Sequence, residues 1–129
     1  MIKISILVSK NGQALTNIPV VQVQAAAKKA NVQRALEAAY DATNPHQIGF
    51  SIKYFGNALG YLVTEIDGIS SQANLYWILY VNGTISNLGI DSEILKDGDK
   101  VEFRYEQYSA ATHGKTIYKV KHEVYLKKK

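Results

Sequence analysis

One stretch, residues 75–106, constrains the fold of this 129-residue chain more than any other. Residues 75–81 (LYWILYV) are all apolar or aromatic and end at an Asn-Gly pair. This pattern predicts a strand that is buried on both faces and followed by a tight turn. Residues 101–108 instead alternate apolar and charged side chains, so one face of this strand is expected to meet a core and the other to meet water. An acidic, glycine-containing turn at residues 96–100 leads into it.

The first 25 residues predict two strands. Residues 2–9 alternate isoleucine or valine with mainly polar side chains, which indicates a strand with one buried face. Residues 20–25 are β-branched enough to form a second strand that starts after Pro19, where no ladder donor is needed. Because the intervening residues are polar, we expect a hairpin with a loop longer than two residues.

One helix is predicted at residues 32–42, with Asn31 as its N-cap. Its apolar face at helical spacing consists of Val32, Ala35, Leu36, Ala39 and Tyr40. The alanine-rich residues 25–30 fit either a backward extension of this helix or a connector. A single helix cannot enclose a core, so this helix must lie on a sheet.

Two further strands are predicted at residues 50–54 and 61–66. Residues 84–95 then contain either a short strand or a single helical turn, and residues 116–126 predict an added C-terminal strand. The order of the elements indicates an α+β roll with a β-grasp-like mixed sheet, one face of which is covered by the helix and the other partly open. We assign residues 1–108 to this domain and residues 109–129 to a basic extension that adds an edge strand to it.

The charge of the chain is uneven along its length. Residues 107–129 hold six of the 15 basic residues but only one of the 11 acidic residues, and the formal net charge is +4. A basic terminus of this kind is typical of a solubilising tail or a guarded sheet edge, so we expect no nucleic-acid binding. No apolar run approaches the roughly 20 residues needed to cross a bilayer, so no membrane insertion is expected.

The sequence contains few motifs that are typical of catalytic, metal-binding or cofactor-binding sites. The absence of cysteine excludes thiol catalysis, disulfides and cysteine-ligated zinc. The acidic residues between 91 and 99 lack the calcium-loop pattern, and the three histidines lie far apart, so no metal site is expected. Without a nucleophile elbow or a glycine-rich phosphate loop, the chain is expected to be neither an enzyme nor a cofactor-dependent protein. The first residues also lack the apolar core of a signal peptide.

A series of motifs spans residues 55–105. They are Phe55-Gly56, Leu59-Gly60-Tyr61-Leu62-Val63, Ile66-Asp67-Gly68-Ile69, Tyr76-Trp77, Tyr80-Val81-Asn82-Gly83, Asn87-Leu88-Gly89-Ile90, Leu95-Lys96-Asp97-Gly98-Asp99 and Phe103-Arg104-Tyr105. Together they resemble the transcobalamin C-terminal-like domain, over roughly residues 20–108. The resemblance implies a β-grasp fold, a non-enzymatic role in binding a soluble ligand, and a secreted or cell-surface location.

The resemblance also raises the question of a partner. In cobalamin carriers of this family, the vitamin is held between this module and a larger helical barrel. The 129 residues leave no room for a barrel, which implies either that ligand contact is lost or that a separate partner domain supplies the other half of the site. The tail after Tyr108 departs from the family pattern.

We predict that a corrinoid-like ligand contacts residues of the aromatic strand and its turns: Tyr76, Trp77, Tyr80, Asn82 and Asn87. A flat macrocycle edged with amides needs an apolar platform and a few amide or backbone hydrogen-bond partners. The competing interpretation is that Trp77, Leu79 and Val81 pack as core against the helix, which leaves the tyrosines on the second face.

Two functions follow from these observations. The first is a ligand-binding module whose small-molecule ligand is cobalamin or another flat compound. The alternative is a protein-interaction module for adhesion or assembly, because the nine tyrosines are also typical of protein interfaces.

Overall fold

The computed structural model describes residues 1–24, 30–42, 48–54, 60–72, 75–86 and 88–107. These residues form one helix and eight strands. In chain order the elements are β1 (Ile2–Lys10), β2 (Gln13–Val23), α1 (Val32–Ala42), β3 (Phe50–Tyr54), β4 (Tyr61–Ile66), β5 (Ile69–Ser70), β6 (Leu75–Val81), β7 (Thr84–Ile85) and β8 (Lys100–Gln107). The predicted α+β composition is therefore confirmed.

The strands form two sheets. The larger sheet has the order β2-β1-β8-β6-β7, in which β1 and β8 are parallel and the other neighbours are antiparallel. The smaller sheet has the order β3-β4-β5 and is antiparallel. The expectation of a mixed sheet is confirmed, and its only parallel pair among the described strands joins the first strand to the last.

The hairpin of β1 and β2 differs from the prediction. Its loop has two residues, Asn11 and Gly12, with φ angles of 53° and 77°, so the predicted longer loop is wrong. Two positive φ angles match the twist of the flanking strands, and the polar start of β2 is tolerated because β2 is an edge strand. Pro19 lies within β2 at a register shift opposite Ser5, where the missing N–H is tolerated.

The helix has the predicted bounds and cap. The backbone N–H of Arg34 donates to Asn31 Oδ1 at 2.8 Å, which satisfies one of the free donors of the first turn. Four of the five predicted face residues are fully buried, but Tyr40 is 41% exposed, so its assignment to the core is wrong. At about 100° per residue, Tyr40 lies about 80° around the axis from Val32, at the margin of the apolar stripe.

Strand β6 is buried on both faces, as predicted. Trp77 and Leu79 pack in the main core together with the helix. Tyr76, Ile78 and Tyr80 form a second cluster on the opposite face with Leu62 and Ile85. On β8 the alternation is also confirmed, because its apolar residues Val101, Phe103 and Tyr105 are buried in the main core.

Residues 88–95 connect the start of the helix to β4. Asp91 Oδ1 accepts a hydrogen bond from the backbone N–H of Tyr61 at 2.9 Å, and the Asp91 carbonyl accepts one from Asn31 Nδ2 at 3.0 Å. Gly60 has a φ of +69°, and a Cβ added there would lie 2.6 Å from Asp91 Oδ1. Asp91 therefore holds three segments together.

Several predicted features lie outside the described residues. They are the alanine-rich residues 25–29, the motif at 55–59, and the C-terminal extension with its predicted strand at 116–126. Of the two alternatives for residues 84–95, the short strand is found as β7. Across the described ranges, no helix is long and apolar enough to cross a membrane.

Candidate functional site

The predicted aromatic residues lie on opposite faces of β6. Trp77 faces the helix side, where its Nε1 donates to the Ile69 carbonyl at 2.7 Å and its ring lies 4.9 Å from that of Tyr105. Tyr76 and Tyr80 belong to the second cluster on the other face. The structure therefore brings the two tyrosines together and separates them from Trp77.

The predicted amides belong to turns. Asn82 occupies the β6–β7 turn with a φ of 53°, where its Nδ2 donates to Asp99 Oδ1 at 2.9 Å and its Oδ1 accepts from the Lys100 N–H at 2.8 Å. Both polar ends of this side chain thus hold the turn to the start of β8. Asn87 lies outside the described residues. Ligand contact by these residues stays a prediction.

A row of charged side chains lies on the face of β8 that points away from the helix. Glu102, Arg104 and Glu106 alternate with the buried apolar residues of β8 and are half-buried rather than fully exposed to water. Arg104 pairs with Glu102 through two atoms, since Nε and Nη2 each lie 3.0 Å from a carboxylate oxygen. This two-point geometry fixes the guanidinium plane as well as the charge.

Tyr80 supports this row from the neighbouring strand β6. The Arg104 Cζ atom lies 3.9 Å from the centre of the Tyr80 ring, which is a close cation–π stack. The Tyr80 hydroxyl donates to Glu106, with distances of 3.0 and 3.2 Å to the two carboxylate oxygens. Burial and the carboxylate of Glu106 raise the pKa of Tyr80 to about 12, although Arg104 opposes this shift. The phenol therefore stays protonated and acts as a donor at neutral pH.

Ser9 of β1 completes the row. It is buried, and its hydroxyl lies 3.3 Å from Glu102 Oε2, opposite Arg104 in the register of the parallel pair. Hydrogen bonding to Glu102 also raises the pKa of Arg104, so this residue remains charged. Five residues on three strands are thus connected in one network: Ser9 on β1, Tyr80 on β6, and Glu102, Arg104 and Glu106 on β8.

A groove of about 480 Å³ runs along this row, beside the β1–β2 turn. Its lining residues come from β1, β2, their turn and β8: Leu7, Ser9, Asn11, Gly12, Ala14, Glu102, Arg104, Tyr105, Glu106 and Gln107. The volume falls in the range of about 300–1,000 Å³ that small-molecule sites occupy. Tyr80 lies behind Arg104 and does not line the groove, so its role here is to position the arginine.

Sequence reasoning missed Ser9, Glu102 and Arg104 as candidate site residues. The available signal was the Glu-x-Arg-x-Glu pattern at residues 102–106, in which charges of opposite sign share one strand face. That face was assigned to water. The parallel pairing of β1 with β8 joins residues more than 90 positions apart, so the sequence did not reveal that Ser9 lies beside Arg104.

No group of three or more His, Asp or Glu residues that could hold a metal ion occurs within the described ranges. The acidic residues of the 91–99 region instead bond to the backbone or to side chains. Glu93 accepts from the buried Ser86 hydroxyl at 2.7 Å, and Asp97 accepts from the Lys3 N–H at 2.7 Å.

The fold is shared by known structures, among them the following two. The crystal structure of haptocorrin in complex with Cbi matches with a TM-score of 0.68 at 20% sequence identity, over 84% of this chain and 25% of that chain. A protein from Ruminococcus gnavus described as a "putative metal binding protein" matches with a TM-score of 0.58 at 18% identity, over 84% of this chain and all of that chain. The chain thus spans about a quarter of the haptocorrin chain.

Comparison of the sequence with curated proteins found no match. A family model matches residues 29–107. This range includes the helix, the whole of β6 and the whole of β8 with its charged row. By this match, the chain belongs to the family described as a domain of unknown function, DUF4430.

Proposed function

We propose that this chain is a non-enzymatic module that binds a small ligand, without a cofactor of its own, in the groove beside Arg104. The observation that carries the proposal is the fixed guanidinium. Arg104 lines the groove while Glu102 and Tyr80 hold it from two sides. Ligand sites are commonly concave surfaces with a few placed polar groups, and a donor held before binding loses little freedom when the ligand arrives.

We also propose that the fold is a β-grasp of the transcobalamin C-terminal type. The central parallel pair of β1 and β8, flanked by β2 and β6 and combined with a single helix, supports this assignment. The structural similarity to haptocorrin, a cobalamin carrier, supports it further. A secreted or cell-surface location rests on the same resemblance.

A corrinoid is the ligand class that we propose to test first. The haptocorrin structure contains Cbi, and the motif series of this chain resembles the small domain of cobalamin carriers. An open groove of about 480 Å³ would enclose one side of such a ring compound. The other side would then be left to a partner domain, as the family resemblance implies.

The experiment is a thermal-shift titration of the pure protein with cobalamin and cobinamide. A ligand that binds only the native state stabilises it by about 2.7 kcal/mol at one hundred times its dissociation constant. We expect a saturable shift that is lost in Arg104→Met, which keeps the side-chain length but removes the donors. Lys96→Met, which removes an exposed cation from a turn that does not line the groove, is the matched control.

The absence of a saturable shift with both corrinoids would overturn the corrinoid assignment. A shift that survives in Arg104→Met but disappears in a variant of β6 such as Tyr76→Ala would move the site to the second cluster. The folded state of Arg104→Met is checked by urea unfolding without ligand, because the variant leaves Glu102 without its partner.

A protein-interaction module is the second candidate, because β2 is a long edge strand with two exposed apolar side chains. Leu15 is 45% and Val20 is 59% exposed. Such an edge can add a strand from another chain. This candidate predicts concentration-dependent dimers in sedimentation velocity runs that Val20→Lys abolishes, and monomers at all concentrations would contradict edge pairing between copies.

A further inference from the structure

We infer that the groove selects a neutral amide group of its ligand over a carboxylate, and that Arg104 and Glu102 together set this preference. The inference rests on the proposed function, since it concerns the chemistry of the same groove. It assigns a recognition role to the pair that the proposed function alone does not require.

The first step concerns the donors of Arg104. A guanidinium carries five N–H bonds. The Nε hydrogen and one Nη2 hydrogen point to Glu102, with both N–O distances at 3.0 Å. Glu106 Oε1 lies 4.0 Å from Nη1, which is beyond hydrogen-bonding distance. The edge of the guanidinium formed by Nη1 and Nη2 therefore offers N–H donors to an acceptor oxygen in the groove that Arg104 lines.

The second step concerns the rigidity of these donors. The cation–π contact of Arg104 with the Tyr80 ring at 3.9 Å and its two-point pairing with Glu102 together restrict the movement of the guanidinium. Tyr80 is itself held by its hydroxyl, which donates to Glu106. A planar acceptor group that approaches this edge thus meets donors in a set geometry.

The third step concerns charge. The carboxylate of Glu102 compensates the charge of Arg104, and Glu106 places a second carboxylate on the same strand face. An incoming carboxylate would gain the arginine hydrogen bonds but would also lie close to these two like charges, in a half-buried site where screening is weak. An amide carbonyl accepts the same hydrogen bonds without this repulsion.

The NH₂ group of an amide can also donate hydrogen bonds to the carboxylates. This group donates two hydrogen bonds, and a carboxylate has about four acceptor positions, so Glu102, which accepts from Arg104 and Ser9, can accept one more while keeping these contacts. The row of Glu102, Arg104 and Glu106 thus alternates acceptor, donor and acceptor along β8. This alternation matches the carbonyl and NH₂ groups of a primary amide.

The experiment compares two corrinoid probes that differ in this group. Isothermal titration at pH 7 measures the affinity of cobinamide, which carries primary amides, and of cobyrinic acid, in which the side chains end in carboxylates. We expect the amide form to bind at least tenfold more tightly.

Variants then test the named pair. Glu102→Gln removes one of the two repelling charges and should reduce the amide preference to threefold or less. Glu37→Gln, an exposed glutamate of the helix, removes the same charge away from the groove and should leave the preference unchanged. Urea unfolding of both variants checks that each is folded.

The possible outcomes distinguish failure of the amide preference from failure of the proposed ligand-binding function. Equal or tighter binding of cobyrinic acid overturns the inference while the proposed ligand-binding function stands. An amide preference that survives unchanged in Glu102→Gln also overturns it. If neither probe binds, the proposed function fails for this ligand class, and the inference about its chemistry fails with it.

Discussion

Replacement of Gly60 by alanine tests the connection between β4 and residues 88–95. Gly60 has a φ of +69°, and an added Cβ would lie 2.6 Å from Asp91 Oδ1 and 3.3 Å from its Cγ. The Asp91 side chain would have to turn away, and its hydrogen bond from the Tyr61 N–H at 2.9 Å would be lost. A hydrogen bond to a charged group contributes about 1.5–3 kcal/mol.

The left-handed backbone adds a second destabilising contribution. An L-residue in this conformation costs about 1–2 kcal/mol, and the smaller freedom of alanine in the unfolded chain offsets about 0.4–1 kcal/mol of it. We therefore expect Gly60→Ala to lower the free energy of unfolding by about 2–4 kcal/mol. Gly12→Ala is the matched control, because Gly12 has a φ of +77° but no atom within 4 Å of the added Cβ. It should lower the free energy by only about 1 kcal/mol.

Urea unfolding measures both variants, and an unchanged m-value shows that the unfolded states are comparable. Asp91→Ala supplies the remaining arm of a double-mutant cycle. Because the clash needs both side chains, the Gly60→Ala/Asp91→Ala double variant should be more stable than the two single effects predict by about 1–2 kcal/mol. Equal stability of Gly60→Ala and Gly12→Ala, or strict additivity in the cycle, would refute the reasoning.

Two other predictions concern the helix cap and the buried phenol. Asn31→Ala should destabilise the fold by about 1–2 kcal/mol because it removes the cap, whereas Asn31→Asp keeps the cap oxygen and should cost less; identical effects in urea unfolding would contradict this. Tyr80 should ionise near pH 12 rather than 10, so its protonated form stabilises the fold below pH 10 and this contribution falls as the pH rises from 10 to 12. The absorbance at 295 nm of the wild type minus Tyr80→Phe measures the step, and a step near pH 10 would contradict the raised pKa.

The elements that the sequence predicted correctly are those with strong local patterns. The apolar run of β6, the alternation of β8 and the Asn31-capped helix each contain their own signal, and the structure has them at the expected residues. The polar first half of β2 has no such signal, because its strand state depends on pairing with β1. Tyr40 was wrongly assigned to the buried face of the helix. It lies at the margin of the apolar stripe, where spacing alone does not distinguish a buried side chain from an exposed one.

The candidate site was predicted less well than the fold. Tyr80 was predicted as a ligand contact, which stays a prediction, whereas its contact with Arg104 was not foreseen. The charged row of β8 forms one side of the groove only because β1 lies parallel to it with Ser9 alongside. That juxtaposition depends on long-range pairing, which residue patterns within each strand do not specify.

The parallel pairing of β1 and β8 also determines when the protein can close its core during synthesis. The β1–β2 hairpin leaves the ribosome before β8, which pairs with β1 and begins only at residue 100. Until β8 is made, Ile6 and Val8 have no partners on that side, and folding must await contacts of high sequence separation, which are slow to form. The family match begins at residue 29. A protein trimmed to that boundary would retain the helix and the candidate arginine but lose the strand against which β8 closes.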